Sequence, residues 1–127
     1  MKNLNFSIGI LSWKGYASLY NSLKSYQENG LNSLTQSKFI CLPEYNNEGI
    51  KICKNFGYKP ILFKDNIGIL NGFKNVALNM PEGPLLLLEN DLALVENNKV
   101  TFTLLKQSLK HLYKYKAAQV RLRSIKD

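Results

Sequence analysis

At 127 residues the chain has the length of one domain, and a 45% hydrophobic, 11% aromatic composition excludes a disordered polymer. The formal net charge is +8, with eight of the seventeen Lys and Arg from Lys99 onward, which favours anionic partners: phosphorylated ligands, anionic membrane surfaces or nucleic acid. No apolar run approaches the roughly 20 residues of a membrane span, and MKNLNFSIGIL is too polar for a secretory signal, so a cytoplasmic location is expected.

FSIGILS, residues 6–12, reads as a buried strand. In YASLYNSLKSYQ, Tyr16, Leu19, Tyr20, Leu23 and Tyr26 recur at helical spacing, and Gly30 supplies a stop. KFICLP is a second strand ended by Pro43. NNEGIKICKNFGY carries Ile50, Cys53 and Phe56 on a short helix closed by Gly57. KPILFKD is a third strand, NIGILNGFKNVALNM a third helix, and PLLLLEND a fourth strand opened by Pro84. TFTLLKQSLKHLYKYK is a further helix from 101 to 116, and AAQVRLRS alternates like a half-exposed strand over 117–124. Cys41 and Cys53 fall in apolar runs without CxxC or Cys/His spacing, so buried, reduced thiols are expected.

Strands separated by helices of about ten residues predict right-handed crossovers and an α/β fold, with a mainly parallel sheet between two helical layers. The runs FICL, ILFK and LLLL are continuously apolar, as strands covered on both faces are. Such sheets bind ligands beyond the carboxyl ends of their strands. Those ends are Ser12 to Lys14, Pro43 to Tyr45, Lys64 to Asn66, and Glu89 to Asp91.

LLLLENDLALVE, residues 85–96, is the sharpest feature. Glu89 and Asp91 are two positions apart at the end of an apolar strand, and period-two alternation puts both carboxylates on one side of the sheet. Hard oxygen ligands of this kind suit Mg2+ or Mn2+, whose remaining positions a nucleotide's phosphates fill. The plainer reading is that the acids solvate a strand end.

Three stretches in this order, FSIGILSWKGYASLYNSLKSY, DNIGILNGFKNVALN and PLLLLENDLAL, resemble the N-terminal half of a family 2 type glycosyltransferase with the GT-A fold. The resemblance covers roughly residues 6 to 95. Its matching positions are Ser12 and Trp13, then Asn66 and Gly68 with Lys74 and Asn75, then Glu89, Asn90 and Asp91. It implies a Rossmann-like, nucleotide-diphospho-sugar transferase domain over 1–127, ending one helix and one strand after the DxD-like motif. It further implies a nucleotide-sugar donor, a metal held by Asp91 and Glu89, and transfer of the sugar to a glycan, lipid-linked or protein acceptor. Glu44 in PEYNNE stands where the family usually has an Asp near the base.

Three departures accompany the resemblance. Glu89 replaces the first Asp of DxD, and the spacing from Gly68 to Lys74 and Asn75 is about one residue longer than usual. From Asn97 to the end the only carboxylic side chain is Asp127, so no catalytic base can be assigned. A non-catalytic nucleotide-sugar-binding or assembly module, completed by a partner or a second copy of the chain, is therefore the alternative.

Every other candidate has two readings. Trp13 packs on a nucleobase or forms a rim; Lys74 pairs with a diphosphate or is solvated; Asn66 and Gly68 make a helix cap, a phosphate contact, or both. His111 reads as a surface residue. Arg121 and Arg123 meet an anion or keep a strand edge soluble, and the Lys-rich helix rests peripherally on a membrane or is solvated. Nucleic acid is not expected, because the aromatics sit at core spacing rather than between basic residues.

Overall fold

The computed structural model describes residues 3–116 together with Gln119, Val120 and Leu122. Each of the four apolar runs forms a strand: β1 Ser7–Leu11, β2 Lys38–Pro43, β3 Lys59–Phe63 and β4 Leu85–Glu89. All their pairings are parallel, in the order β3-β2-β1-β4. The helices are α1 Tyr16–Glu28, α2 Asn47–Asn55, α3 Gly68–Asn79 and α4 Asn98–Lys114.

The strand order follows from crossover handedness. Two right-handed βαβ steps carry the chain from β1 through β2 to β3 with α1 and α2 on one face. The next connection returns past β2 and β1 to reach β4, which puts α3 on the opposite face. The two hydrophobic clusters obey this division. Ile8, Ile10, Ile40 and Leu42 pack with Leu19 and Leu23 of α1, Cys53 of α2 and Leu105 of α4. Leu11 and Cys41, which point the other way by strand alternation, pack with Val76 of α3.

Two glycines let α3 lie close to the sheet. A Cβ at Gly9 would overlap Val76 Cγ1, and one at Gly72 would come within 2.7 Å of Leu11 Cδ1. Both cysteines are buried and free, on opposite faces of the sheet, as their apolar settings predict.

Caps set the helix boundaries. Asn46 Oδ1 accepts from the Gly49 amide at 3.1 Å and starts α2, and Asn97 Oδ1 accepts from the Val100 amide at 3.0 Å and starts α4. The Asn97 cap begins α4 at Asn98, ahead of the Thr101 expected from apolar periodicity alone. A short 3-10 turn, Leu31–Ser33, follows Gly30, and no periodic pattern announces it.

Three strands stop short of the segments FSIGILS, KPILFKD and PLLLLEND read from the sequence. β1 ends at Leu11, β3 at Phe63 and β4 at Glu89, because the polar residues beyond them enter turns held by side chains. The strand predicted over 117–124, with Arg121 and Arg123, falls largely outside the described residues, and Gln119, Val120 and Leu122 are not in a strand. Among the described residues no helix is long and apolar enough to cross a membrane.

Candidate functional site

Because the four strands run in one direction, their carboxyl ends open on a common rim, and the strand order reverses between β1 and β4. Such a reversal is where open α/β sheets bind ligands.

The β1 end is built by its polar residues. Ser12 is buried and its Oγ donates to the Lys14 carbonyl at 3.1 Å. From the tip of β4, Asn90 Nδ2 donates to the carbonyls of Lys14 at 3.3 Å and Gly15 at 3.4 Å. Asn90 thus ties the two strand tips at the reversal point together.

The backbone between them is strained. Lys14 has φ 54° and Gly15 φ 59°, and at the end of β2 Glu44 has φ 48°. The left-handed region costs a residue other than glycine roughly 1–2 kcal/mol, and such strain collects at functional sites.

Lys14 and Glu44 meet across the two tips, with Lys14 Nζ 3.1 Å from Glu44 Oε2 and the side chains 56% and 35% exposed. A pair so exposed is worth at most about 1 kcal/mol, less than the strain of the two residues forming it. The Lys14 conformation is therefore held by Ser12 and Asn90 on its carbonyl rather than by the ion pair.

Beside this pair lies a slot of about 220 Å³ lined by Leu11, Trp13, Pro43, Asn66, Gly68 and Ile69. Its wall is almost wholly apolar. Trp13 is half exposed at the slot, with Lys14 Nζ 5.3 Å from its ring centroid. On the far wall, Asn66 Oδ1 accepts from the Gly68 amide at 2.9 Å, and Gly68 takes φ 78° to turn the chain into α3. Asn66 and Gly68 therefore form a side-chain-held turn and also line a cavity.

Glu89 pairs in register with Leu11, the residue at the floor of the slot. Strand alternation places it on the α3 face with Leu85, which packs beside Gly9 and Val76. The alternation ends there. Asn90 and Asp91 lie in a turn, and the chain beyond is strapped onto α1: Ser22 Oγ donates to the Asn90 carbonyl at 2.9 Å, Tyr26 Oη to the Leu92 carbonyl, and Asn29 Nδ2 to the Leu94 carbonyl at 3.0 Å. Asp91 is thereby brought toward Tyr26. Burial pushes the Tyr26 phenol up to about 12, and the Asp91 charge adds to the rise.

Strand alternation therefore fixes the side of Glu89 alone, and Asp91, beyond the end of β4, is not held on that side as the period-two spacing predicted. Both acids are exposed, and neither joins an ion pair among the described residues. Among those residues there is also no group of three or more His, Cys, Asp or Glu able to hold a metal.

Lys74 is exposed and lies six residues along α3 from Gly68, about 9 Å by helical rise, so it is not brought to the slot mouth. His111 is exposed on α4 and stacks edge-on with Tyr115. A second cavity, about 250 Å³, lies between β4 and α4, with mostly leucine walls including Leu86, Leu88 and Leu104. It offers little polar chemistry.

Lys14 lies on the same rim but is none of the motif positions. Its one signal in the sequence is position, a cation directly after Trp13 at a strand end. No protein-family model, curated protein or solved structure matches the chain, which stands as a small α/β domain with a four-stranded parallel sheet.

Proposed function

We propose that the rim binds a nucleotide-activated sugar with a divalent metal, and that the chain is the donor half of a glycosyltransferase of the GT-A type. The observation that carries this reading is the slot. Trp13, Asn66 and Gly68, singled out by the order of three sequence stretches, line one apolar cleft beside the tip of β4, and the buried Ser12 braces the turn that follows Trp13. The strand order β3-β2-β1-β4 and the β1 to β4 reversal suit a dinucleotide or nucleotide ligand lying across the rim.

In this reading the base enters the slot against Trp13, and the diphosphate runs along the rim toward the tip of β4. Glu44 and Asn90 border the nucleotide, and Glu89 at the end of β4, with Asp91 in the turn beyond it, would supply carboxylate oxygens to Mn2+ or Mg2+. A metal bound by one or two carboxylates plus phosphates and water fits this donor set, whereas an all-protein cage does not. When bound, the metal supplies Lewis-acid stabilisation of the leaving diphosphate. Ser12 and Asn90 fix the turn that presents Trp13.

The absence of any carboxylate between Asn97 and Lys126 favours a second reading, a nucleotide-sugar-binding module that recognises donor without transferring it. A thermal-shift panel of UDP, GDP, CDP and dTDP sugars with and without Mn2+ tests both. A metal-dependent stabilisation by one donor, abolished by Asp91→Ala, is the expected result. No stabilisation by any donor would end the nucleotide-sugar reading. Slow donor hydrolysis marks the transferase, and binding with no hydrolysis or transfer marks the module.

A further inference from the structure

We propose that Lys14 and Glu44 form an exchangeable latch over the slot: Lys14 is the cation that takes a ligand's phosphate, and Glu44 occupies it until the ligand arrives. The ligand class rests on the nucleotide reading above, which the latch deepens by naming its phosphate-binding group.

Position is the first ground. Each member of the pair directly follows a slot-lining residue, Lys14 after Trp13 and Glu44 after Pro43. The ammonium lies 3.1 Å from the carboxylate and 5.3 Å from the centroid of the Trp13 ring, so the pair sits at the edge of the cleft. Among the described residues no Lys or Arg lines the slot itself. The other ion pair among the described residues, Lys24 with Glu28, joins neighbours on one helical face, as solvated helices commonly do. Lys14 and Glu44 instead converge from two separate strand tips.

Backbone geometry is the second ground. Lys14 and Glu44 are both left-handed, and Lys14 is locked by Ser12 Oγ and Asn90 Nδ2 on its carbonyl. The lysine is thus presented by a fixed turn, while its side chain remains more than half exposed and free to change partner. Ligand exchange then requires side-chain rotation only.

The chemistry of the exchange is electrostatic, and no covalent bond forms or breaks. A single carboxylate on an exposed lysine is a weak partner, and a diphosphate brings more charge and more acceptor oxygens to the same ammonium. Once displaced, Glu44 is an unpaired acceptor beside the slot, available to a ribose hydroxyl or a base N–H. Glu44 is therefore both a competitor for the phosphate site and a contact for the rest of the nucleotide.

Inorganic pyrophosphate separates the two roles, because it carries phosphate without sugar or base. Its affinity is to be measured by calorimetry at low ionic strength, without metal, for the unmodified chain, Glu44→Gln, Lys14→Met and the double variant. Lys110→Met, on the exposed face of α4, controls for net charge. Removing the competitor in Glu44→Gln should tighten pyrophosphate binding up to about fivefold, the most an exposed ion pair is worth. Lys14→Met should weaken it about tenfold, as loss of a charged hydrogen bond does, and the double variant should match Lys14→Met.

The latch is overturned if Glu44→Gln binds no more tightly, if Lys14→Met binds as the unmodified chain does, or if neither the unmodified chain nor Glu44→Gln binds pyrophosphate. UDP and GDP titrated in parallel distinguish the two levels of inference. Nucleoside diphosphate binding with affinity unchanged in Lys14→Met discards the latch and keeps the nucleotide site. Latch behaviour toward pyrophosphate with no nucleoside diphosphate binding keeps the latch and discards the nucleotide.

Discussion

Asn90 reaches from the tip of β4 to the carbonyl of Gly15 in the loop after β1, with its Nδ2 3.4 Å away. A Cβ on Gly15 would lie 2.7 Å from that same nitrogen, and Gly15 already has a positive φ of 59°. Gly15→Ala should therefore destabilise the fold by roughly 1–2 kcal/mol and loosen the loop that carries Trp13. Asn90→Ala removes two long hydrogen bonds and should cost about 1 kcal/mol or less. Urea unfolding of both variants checks the order; an Asn90→Ala loss larger than that of Gly15→Ala would contradict it.

The contact of Gly9 with α3 makes a second, sharper demand. Gly9→Ala drives a methyl group into Val76 Cγ1, and overpacking of this kind costs about 1–3 kcal/mol. The double variant Gly9→Ala with Val76→Ala should recover part of that loss, because the two side chains share one space. A double-mutant cycle by chemical denaturation gives the coupling, and strictly additive losses would show that α3 does not rest on Gly9.

Stability should fall in alkali. Burial raises the Cys41 thiol from 9.0 to about 11 and the Cys53 thiol from 9.0 to about 12, and the Tyr26 phenol from 10.0 to about 12. The folded chain keeps these protons at pH values where the unfolded chain has released them, so unfolding gains as pH rises. Their contribution is intact below about pH 9 and is lost progressively up to about pH 12. Each group loses roughly 1.4 kcal/mol for every tenfold by which folding strengthens its hold on the proton. Lys38 acts in the opposite sense: burial lowers its amine, so its desolvation penalty is relieved as pH rises toward 10.5. Denaturation midpoints from pH 7 to pH 11 should decline, and Cys53→Ala should decline less steeply once its own cavity cost is subtracted.

Trp13 is the sole tryptophan, which makes its fluorescence a reporter of the slot. A bound nucleobase should quench it, and a sugar phosphate without a base should leave it nearly unchanged. Trp13→Ala should cost about 1–3 kcal/mol of nucleoside diphosphate affinity, the usual value of base–aromatic stacking, while sparing pyrophosphate. Equal losses for both ligands would assign Trp13 a role in shaping the loop instead.

The sequence by itself determined the α/β class, because continuous apolar runs and helical spacing are local patterns that depend only on which residues are neighbours along the chain. Gly30 and Gly57 were readable as helix stops for the same reason, and the structure gives them φ of 81° and 74°. The end of β4 at Glu89 and the crossing of Asp91 toward α1 were not readable in this way. They depend on side chains finding partners, and for the turn after β4 those partners are Ser22, Tyr26 and Asn29, more than sixty positions away. The ion pair of Lys14 with Glu44 belongs to the tertiary level too. Nothing in either segment pairs one residue with the other; parallel pairing of β1 with β2 is what sets their strand tips side by side.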